Sequence, residues 1–478
     1  MRSSAHPNWS AVRLVGTDVV DVEQAIDQWH EDAPHHLLGA FAYRVDDGGA
    51  ATLVRDHLGV MPLYWTRDAD GTVHAGDDLA EIVERRGPDR MPDEDYLAAA
   101  AALPRATGLL STSTAVSGVS TVPPGHRVRI DADGSVTVTR WWRPDRITPR
   151  RKVSHADAAA ELSELLAAVV DDHRGAIDLS NAAVGAHFSG GLDSTAVAYL
   201  AQRSLERRGS RIAHLYSWSP AGTALDDHDG PDERPMITKL AEELGATIWF
   251  APDEISEPDW FASRDPSTHP RETTHREPWV ARAAAEHGVT DLLSGWGGDE
   301  FVSFNGRGAM RHAVRHLRVG AVRDAFADHR RRGRSISTSA RRVLAPALPK
   351  SARVRSGFDD HPAVRRLVEQ HERRLARAAD PRTVQLALLD RGHLTRRVEA
   401  WHQIGLRCGV RYHYPLLDPR LIEWALSVPP EVYRTGDHSR RVFRAALDGV
   451  VPDAVRRGDK TDPVLNDLIR RQLSSMRP

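Results

Sequence analysis

The chain has 478 residues, a formal net charge of −2 at pH 7, and 41% hydrophobic and 27% charged residues, which is typical of a soluble globular protein of two or three domains. A net charge so near zero excludes a global attraction to nucleic acid or to anionic membranes, and a single cysteine, Cys408, excludes an intrachain disulfide and a cysteine-rich zinc site. The polar first twenty residues, and the lack of any run near the roughly 20 apolar residues that a membrane helix needs, predict a cytoplasmic protein.

Residues 1–140 alternate short strand-like runs with turn signals. The tetrapeptide DADG occurs at 68–71 and again at 131–134, each time between strand-like segments, which predicts two β-hairpins. Helix-like stretches at 78–86 and 93–103 interrupt the strands. We therefore predict a mixed α+β domain over 1–140, followed by a linker over 141–152, where WWRPDRITPRRK combines two prolines with a basic cluster.

From residue 153 helices and strands alternate. A helix capped by Ser154 precedes a strand at 182–188, a helix at 194–207 and a strand at 211–218. The helix ERPMITKLAEELG, the strand TIWFA, the helix EPWVARAAAEHG and the strand DLLSG follow. This order predicts an α/β fold with a doubly wound parallel sheet, in a second domain over 153–478 that is mostly helical from about residue 302.

The stretch SGGLDS at 189–194 falls between a predicted strand and a predicted helix. In a doubly wound sheet, ligands bind beyond the carboxyl ends of the strands. Gly190 and Gly191 permit a tight turn and a close backbone approach, and Ser189, Ser194 and the helix N-terminus offer donors to phosphate oxygens. Asp193 would repel phosphate but can hold Mg²⁺. The alternative is an ordinary glycine-rich turn with a helix cap.

A second stretch, DLLSGWGGDE at 291–300, repeats this order of apolar strand, glycine-rich turn and acids. Asp193 and Asp299 would then lie at the ends of two strands of one sheet and could share one magnesium ion. The first loop has no Walker-type lysine. The pair therefore favours cleavage of ATP between its α and β phosphates, which is adenylation, over transfer of the γ-phosphoryl group.

These two motifs together resemble the pyrophosphate-loop synthetase domain of the asparagine synthetase family. GAFAYRV and LVRDHLGVMPLYW resemble that family's glutaminase domain, and YPLLDPRLIEWALSVPPEVY and RRVFRAALDGVVPDAVRRGDK resemble its C-terminal motifs. The resemblance implies an N-terminal glutaminase-like domain of the Ntn type, followed by an ATP pyrophosphatase domain with a helical C-terminal part.

The resemblance also implies a set of site residues. Arg440 stands where relatives often have a phosphate-binding lysine, and Lys460 matches a lysine that steadies pyrophosphate and the charge on the acyl oxygen during catalysis. The implied magnesium ligands are Asp193 and Asp299. The implied ATP contacts are Ser189, Gly190, Gly191, Asp193, Ser194, Ser217, Gly295, Arg440 and Lys460.

Two further catalytic residues are implied by the β-lactam synthetase branch, which uses a Tyr–Glu pair. Glu399 precedes Asp418 by 19 residues, as the acid of that pair does, and would orient or deprotonate the attacking amine. The alternative is a salt bridge of Glu399 with Arg396 or Arg397 on a solvated helix face. Trp296 stands where the tyrosine falls, and its indole has neither acidity nor charge, which favours a bulky peptide substrate.

The glutaminase branch of the family uses an N-terminal cysteine, whereas this chain begins Met-Arg-Ser-Ser and has Ala40 where the motif GDFAF has an acid. Glutamine hydrolysis by a thiolate is therefore not expected, although trimming to expose Ser3 or Ser4 as a nucleophile is an alternative. The resemblance then implies a glutaminase-deficient, ring-closing branch that includes lasso peptide cyclases and β-lactam synthetases. We expect a macrolactam to form on a peptide, by adenylation of an Asp or Glu side chain and attack by the peptide N-terminal amine.

Other functions remain open. They are a ligase for a small amino-acid substrate, a tRNA-modifying adenylating enzyme, and a scaffold without turnover; the joint presence of Asp193, Asp299 and Lys460 argues against the last. The segment 307–355 holds thirteen Arg and one Lys against two acids. It is either a solvated helix face or a surface for an acidic leader peptide or a partner such as the processing protease.

Overall fold

The computed structural model of the protein describes residues 2–4, 12–14, 19–20, 22–87, 90–102, 104–175, 177, 183–222, 232–253, 276–331, 333–345, 358, 360–434 and 438–458. Within these ranges no helix is long and apolar enough to cross a membrane. The chain divides into two compact units, each built from separate segments. The first comprises Met1–Leu165, Gly297–Glu399 and Leu417–Ala446, and the second comprises Leu166–Trp296, Ala400–Leu416 and the chain from Leu447.

Strands are numbered along the chain. They are β1 Arg2–Ser4, β2 Val12–Leu14, β3 Val19–Val20, β4 Leu37–Leu38, β5 Ala42–Asp47, β6 Ala50–Arg55, β7 Tyr64–Arg67, β8 Val73–Gly76, β9 Val119–Thr121, β10 His126–Ile130, β11 Val136–Arg140, β12 Ala183–His187, β13 Ile212–Pro220, β14 Thr247–Ala251, β15 Val289–Leu293 and β16 Arg411–His413.

Helices are numbered in the same way. They are α1 Val22–Trp29, α2 Leu79–Arg85, α3 Glu94–Ala102, α4 His155–Gly175, α5 Leu192–Glu206, α6 Arg234–Glu243, α7 Glu277–Glu286, α8 Ala309–Arg315, α9 Val319–Arg331, α10 Ile336–Leu344, α11 Pro362–Arg377, α12 Pro381–Asp390, α13 His393–Cys408, α14 Pro419–Ser427, α15 Arg441–Ala446 and α16 Asp453–Arg457.

Among its described residues, the first unit contains three antiparallel sheets, with strand orders β1-β5-β6-β10-β11, β3-β2-β4 and β8-β7-β9. Both predicted DADG hairpins are confirmed, because β7 pairs with β8 and β10 pairs with β11 across these turns. One apolar core fills the space beneath the first of these sheets. Its buried members are Ala42, Leu53, Met61, Leu63, Val122, Val128 and Ile130.

The second unit is built around one parallel sheet of order β14-β13-β12-β15-β16. From the central β12 the chain runs outward through β13 and β14, and then returns to the other side of β12 with β15. This reversal is the topological switch point at which doubly wound sheets bind ligands. The predicted fold class, an amidotransferase-like α+β part followed by a doubly wound parallel sheet and helices, is confirmed.

The fifth strand of this sheet lies in the part of the chain that was predicted to be mostly helical, and no strand was predicted there. Residues 411–413 form β16 and pair in parallel with Asp291–Leu293 of β15. A three-residue strand is too short to show a periodic pattern. Its pairing is fixed instead by the apolar cluster beneath it, against which Tyr412 packs with Val410 and Leu292.

Candidate nucleotide site

The SGGLDS loop connects the central strand β12 to helix α5. Gly190 has φ +70, which is the left-handed region, and a Cβ on it would lie 2.8 Å from Ile237 Cγ1. Gly191 is the residue that caps the N-terminus of α5. Gly190 therefore requires glycine, whereas Gly191 has φ −72 and a Cβ on it would meet only the Ser189 hydroxyl, at 3.2 Å.

Two serine hydroxyls hold this loop over the first turn of α5. The Ser189 amide donates to Ser194 Oγ at 3.2 Å, and the Ser194 hydroxyl donates to the Gly191 carbonyl at 3.2 Å. Asp193 lies in the same first turn, half-buried. The loop thus presents hydroxyls and the positive end of a 15-residue helix, an arrangement that favours binding of phosphate oxygens.

The loop that follows β15 lies directly against this turn. β15 is the neighbour of β12, with Leu293 paired to Ala186. A Cβ on Gly295 would be 2.6 Å from the Ser194 amide nitrogen and 2.7 Å from the Asp193 carbonyl carbon. The structure therefore brings together the six residues Ser189, Gly190, Gly191, Asp193, Ser194 and Gly295.

Ser217 lies at the same end of the sheet. The preceding residue, Tyr216, pairs with His187, the last residue of β12, so Ser217 lies on β13 one residue beyond the end of β12. Its side chain is buried, and its hydroxyl accepts a hydrogen bond from the Ser219 amide at 3.3 Å.

Trp296 belongs to an aromatic cluster beside the two loops. Its ring centroid lies 6.0 Å from that of the buried Trp401, which also contacts His187 at 5.0 Å and Trp218 at 5.7 Å. Trp296 itself is half-buried. We call the rings of Trp218, Trp296 and Trp401 the aromatic wall; a bulky substrate at this wall stays a prediction.

Sequence reasoning missed a buried polar chain beneath this wall. His187 Nε2 lies 3.0 Å from Glu277 Oε1, and His187 Nδ1 lies 3.0 Å from Ser294 Oγ. Since a carboxylate only accepts, Nε2 donates to Glu277, and in the neutral imidazole Nδ1 then accepts from the serine hydroxyl. Tyr412 donates to Glu277 at 2.6 Å; burial, reinforced by this carboxylate, raises the pKa of Tyr412. A histidine two residues before the SGGLDS loop is the one local signal.

Asp299 and Arg440 contact each other within the first unit. Asp299 lies in the short 3-10 turn Gly298–Glu300, and its carboxylate pairs with the Arg440 guanidinium. Arg440 adopts φ +57, which is uncommon for a residue with a Cβ. The residues expected to hold magnesium and phosphate are thus an ion pair. Lys460 lies outside the described residues.

Glu399 lies in a buried cluster of charges in the first unit. It is 1% exposed, and its two oxygens bind Arg55 Nη1 at 2.7 Å and Arg396 Nη1 at 2.9 Å. The salt bridge with Arg396 is therefore present, but the helix face that carries it is buried, not solvated as that alternative supposed. Burial lowers the pKa of Arg396, but the Glu399 carboxylate together with Tyr96 and Tyr64 raises it, and the net shift of this pKa is upward. A role of Glu399 towards an amine stays a prediction.

Arg55 comes from the RDHLG stretch of the glutaminase-like motif, and it uses every part of its guanidinium. It donates to the carbonyl oxygens of Gly59, Met61 and Val122 and to Thr121 Oγ, besides pairing with Glu399. This part of the motif therefore serves packing between β6 and α13.

Comparison with known families agrees with these motifs. Residues 142–473 match the model of the asparagine synthase family, and residues 16–142 match the model described as a glutamine amidotransferase domain. A solved structure titled as the allosteric regulatory enzyme of purine biosynthesis covers 53% of this chain and 63% of its own at 11% identity, but with a TM-score of 0.19 it supports no statement about the fold.

Curated relatives carry the same family name. Asparagine synthetase [glutamine-hydrolyzing] 3 of Bacillus subtilis is 22% identical over 90% of this chain and 67% of its own length. A putative asparagine synthetase [glutamine-hydrolyzing] of Mycobacterium tuberculosis is 27% identical over 63% of this chain, which spans 45% of that relative. Because the asparagine synthase model covers well over half of the sequence, this chain belongs to the asparagine synthase family.

Proposed function

We propose that the protein is an ATP-dependent, AMP-forming ligase that joins an activated carboxyl group to an amine. The observation that carries this proposal is the packing of the Gly295 backbone on the first turn of α5, where the SGGLDS loop ends. Two glycine-rich loops from neighbouring strands meet there at the switch point of the sheet. The asparagine synthase family, to which the chain belongs, uses ATP.

In this proposal ATP is the substrate that the two loops hold. Ser189, Ser194 and the amides at the start of α5 would donate to its phosphate oxygens, Gly295 leaves room for the chain of phosphates, and Ser217 would face the nucleotide. Arg440 would exchange Asp299 for pyrophosphate, since a guanidinium binds either anion through paired donors. Lys460 would steady the charge on the acyl oxygen.

A magnesium ion is proposed on the chemistry of the side chains that would hold it. Asp193 and Asp299 supply carboxylate oxygens, the ligands that magnesium prefers, and in nucleotide sites one or two carboxylates suffice. Within the described ranges there is no group of three or more His, Cys, Asp or Glu side chains that could hold a metal. When bound, the ion would neutralise charge on the leaving pyrophosphate.

Two classes of substrate are proposed. The broad aromatic wall of Trp218, Trp296 and Trp401 favours a peptide, in which an Asp or Glu side chain is activated and the N-terminal amine attacks to close a macrolactam, as in lasso peptide cyclases. The names of the curated relatives favour instead a small amino-acid substrate. In the peptide case, the folded substrate would hold amine and acyl carbon near contact, which accounts for much of a ligase's rate advantage.

Exchange of labelled pyrophosphate into ATP tests this proposal. Exchange should require a linear peptide with an internal Asp or Glu, and Asp193→Ala should reduce it about 100-fold or more. Glu84→Ala, at an exposed position of α2, is the matched control and should leave exchange unchanged. Formation of ADP without AMP would refute the proposal, whereas exchange that follows free aspartate would select the small-substrate alternative.

A further inference from the structure

The corner between α8 and α9 exposes a leucine in an unfavourable backbone conformation. Leu317 is 82% exposed and has φ +50. The Arg318 amide donates to the Ala313 carbonyl at 2.8 Å, and the Leu317 amide to the Val314 carbonyl at 3.3 Å, a helix ending that usually places glycine at this position. A large apolar side chain in water on left-handed backbone adds nothing to the stability of this chain, which points to a function outside it.

Exposed arginines surround this leucine. Arg315 and Arg318 flank it in sequence, and Val319, which is 72% exposed, begins α9. Spacings of four and seven residues place Val319, Arg323 and Arg330 on one solvent-facing stripe of α9. We define the corner surface as Arg315, Leu317, Arg318, Val319, Arg323 and Arg330.

The neighbouring helix α10, which packs on both α8 and α9, has the same character. Ile336 and Leu344 are 66% and 50% exposed, and Arg341 and Arg342 are exposed between them. Four of the ten large apolar side chains that the described ranges expose fall between 317 and 344. Such clustering of apolar exposure marks an interaction surface, because isolated exposed residues would be scattered.

The positive charge of residues 307–355 favours an acidic partner. Asp324 and Asp328 are the only acids between residues 307 and 355, and each lies within ion-pair distance of an arginine of its own helix. Glu431 adds one acid, 3.6 Å from Arg318, and the four arginines of the corner surface still leave it positive, so a second copy of this surface would be repelled. An anionic membrane would need a continuous apolar face along a helix, whereas Val319 is the only large apolar side chain on the exposed stripe of α9. An acidic polypeptide with one or two apolar side chains matches both features, and guanidinium groups suit carboxylates through paired hydrogen bonds.

The opposite face of α9 contacts the segment that carries Arg440, within the first unit. Asp328 lies on that buried face, 3.8 Å from His438, two residues before the Arg440 that pairs with Asp299. We propose that the corner surface binds an acidic segment of the polypeptide substrate, remote from its reacting carboxylate, with Leu317 and Val319 contacting an apolar side chain of that segment. This inference rests on the proposed function, because it takes the substrate to be a polypeptide.

Binding of a fluorescein-labelled synthetic peptide of glutamate, leucine and serine, measured by anisotropy without ATP, tests the inference. The full chain should bind this probe in a salt-dependent manner, and Leu317→Gly should weaken binding about tenfold while the melting temperature stays the same or rises, since glycine accepts this backbone conformation. Arg323→Glu should weaken binding to a similar degree. Met91→Ala, a truncation at another exposed apolar residue, and Arg373→Glu on α11 are the matched controls and should bind as the wild type does.

Several results would overturn the inference. They are no binding of the probe, equal binding by Leu317→Gly, Leu317-dependent binding to phosphatidylserine vesicles in place of the probe, or Leu317-dependent self-association in sedimentation. Absence of pyrophosphate exchange in the wild-type protein would instead refute the proposed function. The probe measurement does not depend on that result.

Discussion

Gly295 is the residue on which the contact between the two loops depends. Replacing it with alanine would bring a Cβ to within 2.7 Å of backbone atoms in the first turn of α5, and backbone cannot rotate away as a side chain can. The two loops would move apart by a fraction of an ångström, so we expect Gly295→Ala to lower pyrophosphate exchange about 100-fold with little change in melting temperature. Gly320→Ala on α9, where an added Cβ would have no neighbour within 4 Å, is the control and should preserve exchange. Wild-type exchange by Gly295→Ala would contradict this role.

Substitution of Glu399 separates a structural role from a catalytic one, because the two roles predict different effects on stability and on the step of the reaction that is lost. Glu399→Gln would leave the buried guanidiniums of Arg55 and Arg396 without their carboxylate, and we expect the free energy of unfolding to fall by about 3 kcal/mol, measured with urea. Glu369→Gln, which breaks exposed pairs with Arg365 and Arg373, should cost less than about 1 kcal/mol. A catalytic base would behave differently: stability and pyrophosphate exchange would persist while amide product was lost.

Most of the elements that carry the site could be predicted from sequence. The order of strand, glycine-rich loop and helix around residue 189, and the strand before residue 294, follow from local patterns of apolar residues and glycine. The chain of Ser294, His187 and Glu277 could not, because its members are far apart in sequence and each looks ordinary in its own segment. Similarly, β16 forms by pairing with β15 above an apolar cluster, and its three residues alone cannot show this contact.

Because His57 lies in the turn between β6 and β7, we expect the protein to lose stability at acid pH. Burial lowers the pKa of His57 to about 3; Asp418 opposes this shift and His35 adds to it. Its pKa in the unfolded chain is near 6.5, so the unfolded state binds a proton that the folded state does not, and the contribution to stability is complete above pH 6.5 and is lost as the pH falls towards 3. Each pH unit in this window should cost up to about 1.4 kcal/mol.

The variant His57→Phe tests this assignment, since a phenyl ring fits among Phe41, Trp141 and Trp142, which surround the imidazole. Urea unfolding as a function of pH should show a shallower acid slope for this variant than for the wild type. His316→Phe, at an exposed position, should keep the wild-type slope. Equal slopes for His57→Phe and the wild type would show that His57 is protonated in the folded state.

At the scale of the whole molecule, the predicted domains 1–140 and 153–478, with a linker at 141–152, remain a prediction. The two family models meet at residue 142. The compact units are built differently, because segments distant in sequence pack together in the first unit. Trp142, in the stretch expected to be a linker, is buried and donates to Glu423 at 2.9 Å, and the Arg150 amide donates to the Ser427 carbonyl at 2.7 Å. These pairings join residues far apart in the sequence, so no local pattern of residues predicts them.

The source of the attacking amine depends on whether the protein can hydrolyse glutamine. Cys408, the only cysteine of the sequence, ends α13; burial raises its thiol pKa despite the nearby Arg282 and Arg407, so little thiolate forms at neutral pH. We expect the protein to release no glutamate from glutamine, and both Cys408→Ser and iodoacetamide treatment to leave pyrophosphate exchange and amide formation unchanged. Glutamate release that Cys408→Ser abolishes would contradict this expectation. If none is released, the attacking amine must belong to the substrate or be free ammonia, and omitting ammonium from a reaction with a peptide separates these two sources.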